Sequence, residues 1–142
     1  PVVIRFRGEV QAPTLILHIL FMLFTVFFGV WAVWDVLTGG SHAYLCTVLT
    51  TVAVVIGGMI LGPIVQKYAF GAFWTGVPFG YDLTDNKTLV VLIFWVLAAW
   101  QGRKKNLKFW LLLAFGMLVL SYIIPHSVLG SELDYSKLPQ PK

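Results

Sequence analysis

Long uncharged stretches constrain the fold of this chain more than any other feature. Residues 10–34 contain no Asp, Glu, Lys or Arg, and neither do residues 36–66. A helix of about 20 apolar residues crosses the hydrocarbon core of a bilayer, which is about 30 Å thick. Only 11% of the 142 residues are charged, whereas soluble domains contain about 25% charged residues. This composition excludes a cytosolic enzyme, and we expect an all-α integral membrane protein.

Helix start and stop signals divide the chain into four predicted transmembrane helices. Pro13 suits a first helical turn, and Gly39 with Gly40 suits a helix end. Gly62 and Pro63 end the second helix, and Asp85 with Asn86 is a candidate cap for the third. The predicted fold is a four-transmembrane-helix bundle in which residues 1–142 form a single membrane domain, with helices over about 13–37, 43–61, 86–101 and 107–124.

Three segments lie outside these helices. Residues 2–10 alternate between apolar and polar side chains, which is typical of a short strand or an interfacial segment. Residues 66–87 contain six aromatic residues, three glycines and a proline. That composition predicts an aromatic connection between helices 2 and 3 that lies in the membrane interface or re-enters the membrane. Residues 125–142 predict a polar, extended tail.

The distribution of positive charge predicts the orientation. Four of the ten basic residues lie in the hexapeptide 103–108, between two apolar stretches. Such a density of Lys and Arg next to the membrane favours a cytoplasmic 101–108 loop, with both termini on the opposite side. The same clustering accounts for the net charge of +4 without a nucleic-acid partner. The expected partners are membrane lipid and other integral membrane subunits.

Small residues predict where the helices meet. At helical spacing, His18, Met22, Thr25, Gly29 and Ala32 share one stripe of the first helix. In the second helix, Gly58 and Gly62 form a GxxxG match, which allows two helix backbones to approach closely. The interpretation is helix packing, either within this bundle or against another subunit.

His18 is the strongest candidate for a functional residue. It lies about 7 Å beyond the predicted helix start, and an ionisable side chain inside a membrane is costly and by default a functional candidate. The alternative is a neutral histidine bonded to a threonine or to a backbone carbonyl. His126 follows the fourth helix on the same side of the membrane. His18 and His126 are therefore the candidate cofactor-binding residues, for haem b, a transition metal or a quinone.

Acidic residues on the same side suggest a second possibility. Hard carboxylates and imidazoles together can bind a transition metal. The candidate metal set is His18, His126, Asp82, Asp85 and Glu132. It would form the centre of a metal-dependent membrane enzyme under the 66–87 connection, although Asp85 also suits a helix cap.

The chain carries no HExxH, GxSxG or phosphate-binding glycine loop, and its single cysteine cannot pair internally. The leading hypothesis is a small subunit of a larger respiratory or electron-transfer complex. It would contribute to a haem, metal or quinone site through His18. The alternatives are the metal-dependent enzyme and a purely structural or assembly subunit without a ligand.

Overall fold

The computed structural model describes residues 7–104 and 106–125. In this part of the chain four helices pack side by side: α1 (Ala12–Thr38), α2 (Ala43–Phe70), α3 (Leu83–Gly102) and α4 (Leu107–Ile123). The first three are long and apolar enough to cross a membrane, and α4 is a shorter apolar helix. Together they indicate a multi-pass membrane protein.

Helix α1 ends within one residue of each predicted boundary. Pro13 occupies its first turn, where the missing N–H has no helical partner to lose. Gly39 ends the helix in the left-handed conformation, with φ of 77°, which glycine adopts without steric penalty. The buried face of α1 contains Thr25, Gly29 and Ala32, as the predicted stripe requires, while His18 and Met22 are half-buried.

The predicted end of the second helix at residue 61 is wrong. Helix α2 changes to π-helical geometry over Val55–Leu61 and then continues as α-helix to Phe70. A proline ring in an α-helix clashes with the carbonyl four residues earlier. The wider π turn, in which the Gly62 amide bonds to the Gly57 carbonyl, precedes Pro63, so the helix passes through the proline instead of stopping.

The predicted cap of the third helix is also wrong. Helix α3 begins at Leu83, and its N-cap is Asp82, whose carboxylate accepts hydrogen bonds from the amides of Thr84 and Asp85. Asp85 lies within the first turn and bonds elsewhere. The non-helical part of the aromatic connection is therefore residues 71–82, shorter than the predicted 66–87 because helices extend into it from both sides.

The four helices meet around a core centred on Trp95, which is fully buried. A Cβ atom on Gly29 would lie 3.4 Å from the Trp95 ring and 3.3 Å from the Leu118 side chain. A Cβ atom on Gly58 would lie 2.7 Å from the Thr88 side chain. Gly58 therefore packs α2 against α3 within this bundle, which is one of the two interpretations of the GxxxG match.

The bundle has two ends, and we name them by their residues. The loop end contains residues 66–87, and the basic end contains residues 35–44, 100–104 and 106–109. Residues 7–10 lie at the loop end without strand structure, and the Gly8 amide bonds to the Ala69 carbonyl at 2.7 Å. The other residues of the predicted strand and most of the predicted tail lie outside the described residues.

Candidate functional site

His18 is held by one ring nitrogen. Its Nδ1 lies 2.9 Å from the carbonyl oxygen of Gly57, in the π-helical turn of α2. A carbonyl oxygen only accepts hydrogen bonds, so Nδ1 carries the proton and donates it. In the neutral imidazole Nε2 is then left with a lone pair. Within residues 7–104 and 106–125, Nε2 has no hydrogen-bond partner.

The packing of α1 on α2 explains how this bond forms. A Cβ atom on Gly57 would lie 2.9 Å from the Phe21 Cβ, so a larger residue at position 57 would push the two helices apart. The glycine brings its carbonyl within reach of the imidazole one turn away along α1. The helical stripe predicted that His18 faces a helix interface. The bond to a backbone carbonyl was predicted there as the alternative to a ligand-binding role.

His18 lines a cavity of about 200 Å³ between α1 and α4. The wall contributed by α4 consists of Ser121 and Tyr122, and the remaining wall is Ile19, Met22 and Leu23 from α1. The side chains of Ser121 and His18 are therefore the polar groups that a ligand in this cavity would meet first, in otherwise apolar surroundings.

Tyr122 separates this cavity from a second one. The phenol donates a hydrogen bond to the Met22 carbonyl oxygen at 3.1 Å, which ties α4 to α1. The second cavity, of about 310 Å³, has Tyr122 in its wall together with Val26, Phe115, Leu118, Val119 and Ile123. The seam between α1 and α4 is thus an apolar groove, and His18 lies in the part of it nearer the loop end.

Asp85 organises the loop end. Its Oδ2 atom accepts hydrogen bonds from the amides of Thr75 at 2.6 Å and Gly76 at 3.0 Å, and from the Gln66 side-chain amide at 3.0 Å. Asn86 accepts a bond from the Val77 amide at 2.7 Å. The first turn of α3 therefore holds the backbone of the 71–82 connection, while the rings of Phe79 and Tyr81 remain 82% and 91% exposed.

Lys87 joins α3 to the end of α4. It is buried, and its Nζ donates a hydrogen bond to the Ile124 carbonyl oxygen at 2.6 Å. Helix ends leave carbonyls without helical partners, and a lysine ammonium is well suited to satisfy one of them. The end of α4 is therefore joined to the first turns of α3, at the loop end of the bundle.

The structure does not bring the predicted metal set together within the described residues. In the ranges 7–104 and 106–125 there is no group of three His, Cys, Asp or Glu side chains that could hold a metal ion. Asp82 caps α3, Asp85 holds the connection, and His18 contacts Gly57. His126 and Glu132 lie outside the described residues, so the five-residue set stays a prediction.

Sequence reasoning missed Asp35, which organises the opposite end. Its Oδ2 accepts hydrogen bonds from the amides of His42 at 2.7 Å and Ala43 at 2.6 Å. Negative charge is stabilising at a helix N-terminus, so this carboxylate fixes the turn between α1 and α2. An acid just before a Gly–Gly turn that leads into an apolar helix was the available signal. Gln66, Lys87 and Tyr122 carried no comparable signal.

Comparison with protein families, with curated proteins and with solved structures gives no match to this chain.

Proposed function

We propose that this protein is a four-span membrane subunit of a larger electron-transfer complex, in which His18 binds the head group of a quinol. The observation that carries the proposal is the 2.9 Å contact between His18 Nδ1 and the Gly57 carbonyl. It determines which ring nitrogen remains for a ligand. With Nδ1 donating to Gly57, a neutral His18 offers Nε2 as an acceptor, which suits a hydroxyl donor such as a quinol.

The size of the cavity supports a single-ring ligand. A cavity of about 150 Å³ is large enough to bind benzene in a protein interior, and the His18 cavity measures about 200 Å³. That volume suits one substituted six-membered ring such as a quinol head group.

The groove supports a lipophilic ligand. Binding sites for small molecules are mostly apolar, with a few polar groups that fix orientation. From His18 toward the basic end, the seam between α1 and α4 continues past Tyr122 into the second, apolar cavity. An isoprenoid tail would lie along this seam while the ring meets His18 and Ser121.

Two observations support the role of a subunit. The sequence contains no HExxH, GxSxG or phosphate-binding glycine loop and only one cysteine, so we place the redox centre that exchanges electrons with the quinol in a partner subunit. At the loop end, Asp85 and Asn86 hold a connection that presents the exposed rings of Phe79 and Tyr81. We place this connection in the membrane interface, where aromatic side chains are favoured, and expect partner subunits to contact it.

The proposal includes an orientation. The described residues of the basic end include three basic residues, Arg103, Lys104 and Lys108, and one acid, Asp35, whereas the described basic and acidic residues of the loop end are equal in number. The positive-inside rule then places the basic end in the cytoplasm. Helix α4 is about 25 Å long at 1.5 Å per residue, a mismatch that a bilayer accommodates at modest energetic cost.

Gentle detergent extraction followed by mass spectrometry tests this function. The expected result is co-purification with larger redox subunits and with a lipid quinone, whose amount falls at least tenfold in His18→Gln. His42→Gln is the matched control, because His42 is an exposed residue in the 39–42 turn. Equal quinone content in the two variants would contradict the ligand role, and purification of the chain without redox partners would contradict the subunit role.

A further inference from the structure

We propose that the basic end of the bundle binds the phosphate group of an anionic membrane lipid, through Arg103, Lys104 and Lys108. All three side chains are exposed. Within the described residues none of them pairs with a carboxylate. Their charge is therefore available to an anion from the membrane. This site lies at the opposite end of the bundle from His18 and does not depend on the quinol proposal.

Arg103 is oriented by a neutral partner. Its Nε donates a hydrogen bond to the Tyr44 phenol oxygen at 2.8 Å, which links the end of α3 to the first turn of α2. Within the described residues, the N–H groups on both terminal nitrogens have no hydrogen-bond partner. A guanidinium presents these donors in a fork that matches two phosphate oxygens. Tyr44 therefore acts as a positioning residue for a phosphate-binding arginine.

Lys104 is placed at the level of the lipid head groups. Its Nζ lies 4.7 Å from the centre of the Trp100 ring, a cation–π arrangement, and the Trp100 side chain is 55% exposed. Tryptophan is enriched where the hydrocarbon core meets the head groups. Phe109, 63% exposed, follows Lys108 at the start of α4. Basic and exposed aromatic side chains thus lie side by side at the basic end of α3 and α4.

Asp35, the acid among the described residues of this end, forms no ion pair with the cluster. Asp35 is buried, and its carboxylate is bonded to the amides of His42 and Ala43. Clusters of Lys and Arg next to transmembrane helices attract anionic lipids, with a gain of roughly fivefold in binding per basic residue. A membrane lipid is the favoured source of the phosphate because the exposed aromatic rings beside the cluster require an apolar environment that a free ion does not supply.

Native mass spectrometry of the delipidated protein, titrated with dioleoyl phosphatidylglycerol or dioleoyl phosphatidylcholine, tests the proposal. We expect the wild type to bind dioleoyl phosphatidylglycerol at least tenfold more tightly than dioleoyl phosphatidylcholine. Arg103→Gln with Lys104→Gln should abolish most of this preference. The control is Arg7→Gln with Lys67→Gln, which removes the same charge from the loop end and should leave the preference within twofold.

Tyr44→Phe separates an oriented site from a general charge effect. This substitution keeps every charge and removes the oxygen that accepts the hydrogen bond from Arg103. We therefore expect a loss of about threefold in affinity for dioleoyl phosphatidylglycerol. Equal losses in the two double variants, or no preference between the lipids, would overturn the proposal. Displacement of the lipid by millimolar inorganic phosphate would also overturn it, because the site would then be one for a soluble anion.

Discussion

The carboxylate of Asp35 accepts a hydrogen bond from the backbone amide of Ala43 at 2.6 Å and so joins the last turn of α1 to the first turn of α2. The same oxygen also accepts from the His42 amide. Next to it, a Cβ atom on Gly40 would collide with the other carboxylate oxygen of Asp35. The turn between the first two helices is therefore built around one buried acid.

Replacement of Asp35 should destabilise the bundle. Loss of a helix cap costs roughly 0.5–2 kcal/mol, and hydrogen bonds to a charged group contribute at the upper end of the usual range. We expect Asp35→Ala to lower the free energy of unfolding by about 2 kcal/mol, measured by equilibrium unfolding in detergent micelles. Ser41→Ala, in the same exposed turn, is the control. Equal stability of the two variants would show that the carboxylate does not cap α2.

Substitution by alanine should change the free energy of unfolding differently at two glycines. In Gly58→Ala the new methyl would meet the Thr88 side chain at 2.7 Å, and overpacking costs about 1–3 kcal/mol. In Gly116→Ala no atom of the described residues lies within 4 Å of the new carbon, and alanine favours a helix by up to about 1 kcal/mol. Unfolding in micelles should show Gly58→Ala as destabilised and Gly116→Ala as unchanged or stabilised. The reverse order would refute the α2–α3 packing.

Asp85 should control the order of the 71–82 connection. Asp85→Ala removes the acceptor for the Thr75 and Gly76 amides, so hydrogen exchange at these amides should accelerate at least tenfold. Phe79→Ala is the control, because its side chain is 82% exposed and its loss leaves the acceptor in place. Unchanged exchange in Asp85→Ala would mean that the connection is held by other contacts.

The proposed orientation can be tested at the two ends of the bundle. With Cys46 replaced by alanine, an impermeant thiol reagent added to intact cells should label Phe79→Cys and leave Lys104→Cys unlabelled. Both positions are exposed in the described structure. Labelling of both from outside, or of Lys104→Cys alone, would contradict four spans with a cytoplasmic basic end.

Local signals predicted the parts of the fold that depend on local chemistry. The ends of α1 follow from Pro13 and from Gly39, because a proline suits a first turn and a glycine tolerates the left-handed conformation. The end of α2 was missed because Gly62 and Pro63 resemble a stop, and only the π turn before them lets the helix continue. The cap of α3 was misplaced by one turn because Asp82 and Asp85 are both good N-cap residues.

Of the residues in the candidate site, only His18 was predicted from the sequence. The helical stripe placed His18 at an interface, but its contact with Gly57 depends on how α1 is aligned against α2, 39 positions later in the chain. The cavity wall at Ser121 and Tyr122 depends in turn on the packing of α4. Such long-range registers are set by the fit of side chains across several helices, which periodicity along one segment does not contain.

Nitrogen-15 magnetic resonance of histidine-labelled protein, with His42 and His126 both replaced by glutamine so that His18 is the one labelled histidine, tests the proposed quinol site. We expect His18 Nδ1 to be protonated and Nε2 not to be. Duroquinol, kept reduced, should then shift the Nε2 resonance, and its dimethyl ether, which has no hydroxyl to donate, should not. A protonated Nε2 with a bare Nδ1, or equal shifts with the two compounds, would contradict the proposed quinol site.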